Sequence, residues 1–479
     1  MMKTSVILRA ALCCLITGWS LAEPAGERHM KRLYVEAFAT QAGAEELQED
    51  VRGEVRKLSS VLLVADKSSA DVILGGGGEI WVKGYRSLNP RAGRLLSNGT
   101  PVYGGYLSVE LRDKTGVTLW SDLVTPGAAS GDISKDLSKQ IAKHLSEALA
   151  RAELPARPEN LPRATTILTG AGATFPYPVY SKWFANYRRE NPNVEIAYDP
   201  IGSEAGVRQL ISGKVDFAAS DSPEVLDALA PNEAGNYLLF PSVVGAVVPI
   251  VNLPGIANDV KFTPEALAGI FLGKITEWND PVLAQSNRGV HLPDLDIVVV
   301  HRAEGSGTSY AWTDYLSRIS PEWKAEVGTS LAPRWKTGRA ASGNDGVAKL
   351  VKELGGSIGY VEFIYALQNH LNFGEVRNQN GQFVSASLET IASAVSRAEI
   401  SSDFKTSLAN APGASAYPIA SFTWLVVPAR IADDGKRTTI TAFLRWMLGP
   451  GQRQAAALGY LALPKDVITK EQDAVARIH

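Results

Sequence analysis

The chain has 479 residues, 45% of them hydrophobic and 20% charged, the composition of a soluble globular protein and a length for about three domains. Its formal net charge is only −2. That excludes a global field that would recruit nucleic acid or an acidic membrane surface, so any anion site has to be built locally.

Residues 1–22 read as a secretory signal, with Lys3 and Arg9 ahead of an apolar core and Ser20-Leu21-Ala22 as a small-residue cleavage site. The expected product is an exported, periplasmic protein of the bacterial envelope. Both cysteines, Cys13 and Cys14, lie in that core, and Leu12 stands before Cys13 where a lipid-anchoring signal has a small residue. The mature chain is therefore read as free of cysteine, which excludes disulfides and thiolate metal sites. No later segment holds about 18 uninterrupted apolar residues, so no membrane span is expected.

Residues 30–152 carry a pattern of their own. Strand-like alternation over 31–38 precedes helical spacing over 44–58, short strands are expected at 61–65 and 71–74, and the run Gly75–Gly78 is read as a break before a strand at 79–83. A hairpin over 103–112 and 117–123 turns at Asp113-Lys114-Thr115-Gly116, and 133–152 closes the unit as an amphipathic helix. The order of elements resembles the small α/β domains at the front of some bacterial envelope proteins, such as the N-terminal domain of TolB. Pro155, Pro158 and Pro162 then mark a linker over 153–164, and stiff spacing of this kind implies that the two units sit apart.

From residue 165 onward apolar runs alternate with helical stretches, the pattern of an α/β fold with a sheet covered on both faces. Four clusters stand at strand ends: Thr174 and Phe175 after a Gly-rich turn, Ser203 opening a helix, Asp221 closing a short strand, and Arg302 followed by Glu304, Gly305, Ser306, Gly307 and Thr308. Strand carboxyl ends are where open α/β sheets bind ligands. The last cluster is an anion cradle in outline: a guanidinium fork, backbone N–H groups and two hydroxyls at the start of a helix whose dipole favours negative charge. The same Gly-Ser-Gly-Thr is equally read as a helix N-cap. It is neither a serine-hydrolase elbow, which needs G-x-S-x-G, nor a nucleotide loop, which needs G-K-[ST].

The stretches LTGAGATFPYPVYSKW, IGSEAGVRQLISGKVDFAASDSP, FLGKITEWNDP, VVHRAEGSGTSYAWTDYL and GSIGYVEFIYA, in order over about 167–464, resemble the periplasmic phosphate-binding subunit of the bacterial phosphate ABC transporter. The resemblance implies a two-lobed, type II (Venus-flytrap) periplasmic binding fold behind the small α/β domain, closing on one inorganic phosphate and serving membrane permease subunits. Position by position it implies phosphate ligands at Thr174, Phe175, Ser203, Asp221, Arg302, Ser306, Gly307 and Thr308. Glu304 takes the place of an aspartate that holds the arginine, and Glu204-Ala205 replaces a more typical Ser-Gly beside Ser203. Lobe one is expected at 165–247 and 424–465, lobe two at 248–423, with crossings near 243–252 and 417–428.

No cofactor is expected, no nucleic-acid partner is read, and the six histidines (His29, His144, His291, His301, His370 and His479) lack ligand spacing, so no metal site is assigned. His301 alternates with Arg302 and is expected to point away from the ligand. Phe240, Trp424 and Trp446 are read as core. Asp221 is read as the group that separates protonated phosphate from sulfate, the competing reading being a cap of a helix near Ser222-Pro223. Two other functions remain open: a phosphate-binding sensor or surface adhesin working through the first domain, and a secreted phosphatase using Ser306 or Thr308, against which no histidine or metal cluster supplies a base.

Overall fold

The structure, a computed structural model, describes residues 31–38, 44–86, 100–114, 116, 118–126, 132–151, 166–256 and 260–479. The expected signal segment with its two cysteines, and the proline-rich linker, lie outside these residues.

The N-terminal unit is a five-stranded sheet in the order Val61–Leu63, Lys31–Val35, Val72–Arg86, Thr100–Asp113, Thr118–Val124. Helices Ala44–Val55 and Ile133–Arg151 join its core through Leu47, Val51 and Val55 and through Leu137, Ile141 and Leu145, each set spaced by one helical turn. The expected turn is present, with Gly116 at φ 87° donating to the Asp113 carbonyl at 3.0 Å. Gly75–Gly78 does not break the chain. It lies inside the strand Val72–Arg86, paired with Glu110 to Leu107. A Cβ at Gly76 would stand 2.4 Å from the Ser108 carbonyl oxygen, and one at Gly78 2.8 Å from Leu47 of the overlying helix. The run is therefore a site of close approach within a strand.

The two units do not sit apart. Leu123 is part of the hydrophobic core of the second unit. Ser121 Oγ donates to the Arg453 carbonyl at 2.5 Å, Arg453 Nε donates to the Thr118 carbonyl at 2.9 Å, and Ser108 Oγ donates to the Ala457 carbonyl at 2.6 Å. A second contact lies on the other lobe, where Trp81 stacks on His370 with ring centroids 4.6 Å apart and Glu79 meets His370 Nε2 at 2.8 Å. The prolines report local stiffness, whereas docking is decided by apolar and polar surfaces far away in sequence.

The second unit is organised by one sheet whose central strand, Tyr237–Asn252, is long enough to serve both lobes. Its first part pairs antiparallel with Ala420–Pro428 and its last part with Ser357–Glu362. On either side of the central strand the sheet continues into two similar parallel sets, the second of which includes Ser357–Glu362 itself. In one, Thr166–Gly172 is flanked by Val194–Asp199 and Phe217–Ser220. In the other, Val298–Arg302 is flanked by Arg339–Ala341 and Ser357–Glu362. Parallel strands buried on both faces need near-continuous apolar sequence, and Phe217–Ser220 and Ser357–Glu362 are buried at every position. Phe240, Trp424 and Trp446 are buried in the core, as expected.

Candidate functional site

Each of the six parallel-set strands ends at the same cleft. Thr174 follows Thr166–Gly172, Ser203 follows Val194–Asp199, and Asp221 follows Phe217–Ser220. From the facing set, Arg302 ends its strand, Asn344 follows Arg339–Ala341, and Glu362 ends Ser357–Glu362. Four helices begin there too: Tyr177–Glu190, Ser203–Ile211, Gly307–Ile319 and Gly343–Glu353. The first N–H groups of a helix have no partner within the helix and sit at its positive dipole end, a combination that suits an anion.

Hydrogen bonds join six of the eight predicted ligand positions in two groups that each cross the cleft, Ser203 with Asp221 and Gly307, and Thr174 with Thr308 and Arg302 through Asn344. Gly307 N–H donates to Ser203 Oγ at 3.0 Å, and Asp221 N–H lies 3.4 Å from the same oxygen. Asn344 Nδ2 donates to Thr174 Oγ1 at 2.9 Å and to Thr308 Oγ1 at 3.4 Å. Arg302 Nη1 reaches Thr308 Oγ1 at 3.3 Å. Ser306 caps the helix, its Oγ accepting Ser309 N–H at 3.3 Å, so the cap reading holds for this hydroxyl, which keeps its own proton for donation. Phe175 is buried, and its carbonyl accepts from Tyr460 Oη at 2.6 Å. Gly307 has to be glycine: a Cβ there would lie 2.5 Å from Asp221 Oδ2 and 2.6 Å from the Asp221 backbone nitrogen.

Glu304 holds the arginine. Arg302 Nε donates to Glu304 Oε1 at 2.8 Å, Nη2 donates to the same oxygen, and Gly343 N–H reaches it at 3.1 Å. The guanidinium is thus fixed on its Nε side while Nη1 faces the threonines, and the Arg302 side chain is 1% exposed. Glu204 forms an ion pair with Arg208 one helical turn away, Nη2 to Oε1 2.7 Å, while its Oε2 lies against Gly305 of the cradle loop. His301 turns away from the cleft and stacks on Trp335 with centroids 4.9 Å apart.

Asp221 is buried and does not cap a helix. Its Oδ1 accepts from Thr423 Oγ1 at 2.7 Å, and Oδ2 is buried with no hydrogen-bond partner among the described residues. Burial pushes its carboxyl pKa up to about 7, against the opposing effects of the Thr423 hydrogen bond and the Arg302 charge. Glu362 is also fully buried, and burial holds its pKa well above the usual carboxylate range. It accepts Ile364 N–H at 3.0 Å and lies 3.3 Å from Tyr460 Oη.

Comparison with known proteins assigns the chain to a family. A model of the PBP superfamily domain matches residues 159–450. The phosphate-binding protein PstS of Pasteurella multocida is 41% identical over 308 residues, covering 64% of this chain and 88% of that protein. The chain belongs to the PstS family of the PBP superfamily. Within the PstS family, the Haemophilus influenzae protein is likewise 41% identical, over 306 residues, covering 63% of this chain and 90% of its own. Among solved structures, a high affinity periplasmic phosphate-binding protein bound with phosphate superposes with a TM-score of 0.53 at 22% identity, covering 64% of this chain and 93% of that one. At that identity the likeness establishes the two-lobed fold expected from the sequence.

Five polar residues of the site, Glu362 among them, escaped the sequence reading. Asn344 carried a usable signal, since Ser342-Gly343-Asn344 repeats the strand, small residue and helix order of the other clusters. Tyr365, whose Oη donates to the Thr174 carbonyl at 2.7 Å, Tyr460 and Thr423 sit among apolar neighbours with nothing local to mark them.

Proposed function

We propose that this chain binds one inorganic phosphate between its lobes with high affinity and, as a periplasmic substrate-binding subunit, delivers it to the membrane permease subunits of a phosphate ABC importer. The observation that carries the reading is the pairing of one fixed, buried guanidinium, Arg302, with one buried carboxyl, Asp221, whose Oδ2 has no partner among the described residues.

The chemistry follows from that pair. Phosphate at neutral pH keeps a proton and sulfate does not, so a carboxylate acceptor gains a hydrogen bond from the first and faces an acceptor on the second, a mismatch costing about 1–3 kcal/mol or more. Arg302 supplies the single positive charge, in a planar geometry that suits two oxygens. The hydroxyls of Thr174, Ser203, Ser306 and Thr308 and the helix-start N–H groups are neutral donors for the remaining oxygens, so the ligand is matched without a cation-rich patch. The helix dipoles add a favourable field that is fixed before the ligand enters and so needs no reorganisation.

Titration calorimetry of the full chain with phosphate, arsenate and sulfate tests the reading. One phosphate per chain with sulfate excluded is expected. Absence of phosphate binding heat, with no change in scattering radius at saturating phosphate, overturns it, and turnover of a phosphate ester would favour an enzyme instead.

A further inference from the structure

Asn344 is fully buried at the start of the helix Gly343–Glu353, and every polar atom of its amide has a partner. Its Oδ1 accepts the backbone N–H of Glu362 at 3.0 Å. A backbone N–H can only donate, so this contact fixes which end of the amide is oxygen. The NH2 end must then face Thr174 Oγ1 at 2.9 Å and Thr308 Oγ1 at 3.4 Å.

The consequence lies in where the hydroxyl protons go. A threonine oxygen has two lone pairs and one proton. Thr308 Oγ1 is approached by two N–H donors, Arg302 Nη1 at 3.3 Å and Asn344 Nδ2, which occupy both lone pairs and leave its proton as the one group still to be directed. Thr174 Oγ1, from the opposite lobe, has one lone pair filled by the same amide, and an amide NH2 cannot accept the threonine's proton.

We infer that Asn344 is a positioning residue that sets both threonine hydroxyls, one from each lobe, as donors toward the anion between them. The inference rests on the phosphate reading above and adds to it a donor-setting group that itself need not touch the ligand. An acceptor at this position would reverse the arrangement, drawing both hydroxyl protons toward itself and away from the anion.

Asn344→Asp makes that reversal with almost no change of shape, and a double-mutant cycle with Thr308→Val separates it from simple charge repulsion, which is the same in both backgrounds. Phosphate is titrated into the full-length wild type, N344D, T308V and N344D/T308V, with melting curves recorded without ligand. N344D is expected to weaken phosphate by about a hundredfold in the wild type and by at least about fivefold less in the T308V background, a coupling well above the limit of additivity. Equal losses in both backgrounds, within about twofold, overturn the inference while leaving phosphate binding intact. If N344D melts as an unfolded chain, Asn344→Ala is read in the same cycle, where coupling of about twofold or more supports the inference and additivity overturns it. Wild type that takes up no phosphate overturns the phosphate reading and this inference with it.

Discussion

Thr423 donates its hydroxyl to Asp221 Oδ1 at 2.7 Å, so a threonine from the strand Ala420–Pro428 turns the other carboxyl oxygen of Asp221 toward Gly307, whose missing side chain leaves room for it. The acceptor of the site is thus oriented by one hydroxyl and admitted by one glycine.

The first prediction concerns pH and selectivity. Burial places the Asp221 carboxyl pKa at about 7; above that pH its charge repels a fully ionised anion, and below it the protonated carboxyl becomes a donor. Sulfate affinity should therefore rise as pH falls through about 7, by roughly thirtyfold between about pH 8.5 and pH 6. In Asp221→Asn the pH dependence should disappear, with sulfate gaining more than phosphate loses. Sulfate titrations on both proteins check this, and a mutant that excludes sulfate as strongly as wild type would remove Asp221 as the discriminating group.

The same carboxyl should cost stability. Its folded pKa is raised from an ordinary 3.8 to about 7, so between those values the folded state holds more proton than the unfolded chain and stability falls as pH rises through the window. Asp221→Asn removes the buried charge and keeps an acceptor for Thr423. Without phosphate at pH 8 the mutant should be more stable, on the order of 1–4 kcal/mol, as read by denaturant unfolding; an unchanged or lower stability would contradict the burial argument.

Gly307→Ala should block closure rather than folding. The added methyl would meet Asp221 backbone and side chain across the cleft at 2.5–2.6 Å, a clash of about 1–3 kcal/mol that exists only when the lobes meet. Phosphate affinity should drop by at least about tenfold, equivalent to 1.4 kcal/mol, with the melting temperature of the ligand-free protein little changed. A mutant that closes and binds like wild type would show that the lobes do not approach at this point.

Removing the N-terminal unit should separate binding from stability. The eight predicted ligand positions lie between Thr174 and Thr308, outside that unit, so residues 166–479 should bind phosphate within about tenfold of the full chain. The fragment should also melt at lower temperature, because Leu123 leaves its core and Arg453, half-buried beneath Thr118 and Ser121, loses its partners. Loss of affinity well beyond tenfold would make the N-terminal unit part of the binding machinery, and an unchanged melting curve would deny that docking stabilises the second unit.

The local grammar of strand, small residues and helix start was legible in the sequence. It located Thr174, Ser203, Asp221 and the run from Arg302 to Thr308, because a strand end and a helix start are specified by residues adjacent in the chain. The alternation that turned His301 away from Arg302 is equally local. Tertiary structure alone decided the partners of those groups. Thr423 reaches Asp221 from 202 positions away and Asn344 reaches Thr174 from 170, distances over which no periodicity carries information. The glycine run at 75–78 and the proline-rich linker point the same way: both were read for their freedom or stiffness, yet what surrounds a chain segment is set by surfaces that only folding brings together. A buried polar network is specified by the whole set of facing side chains, each tolerable in a core only when its partner is in place.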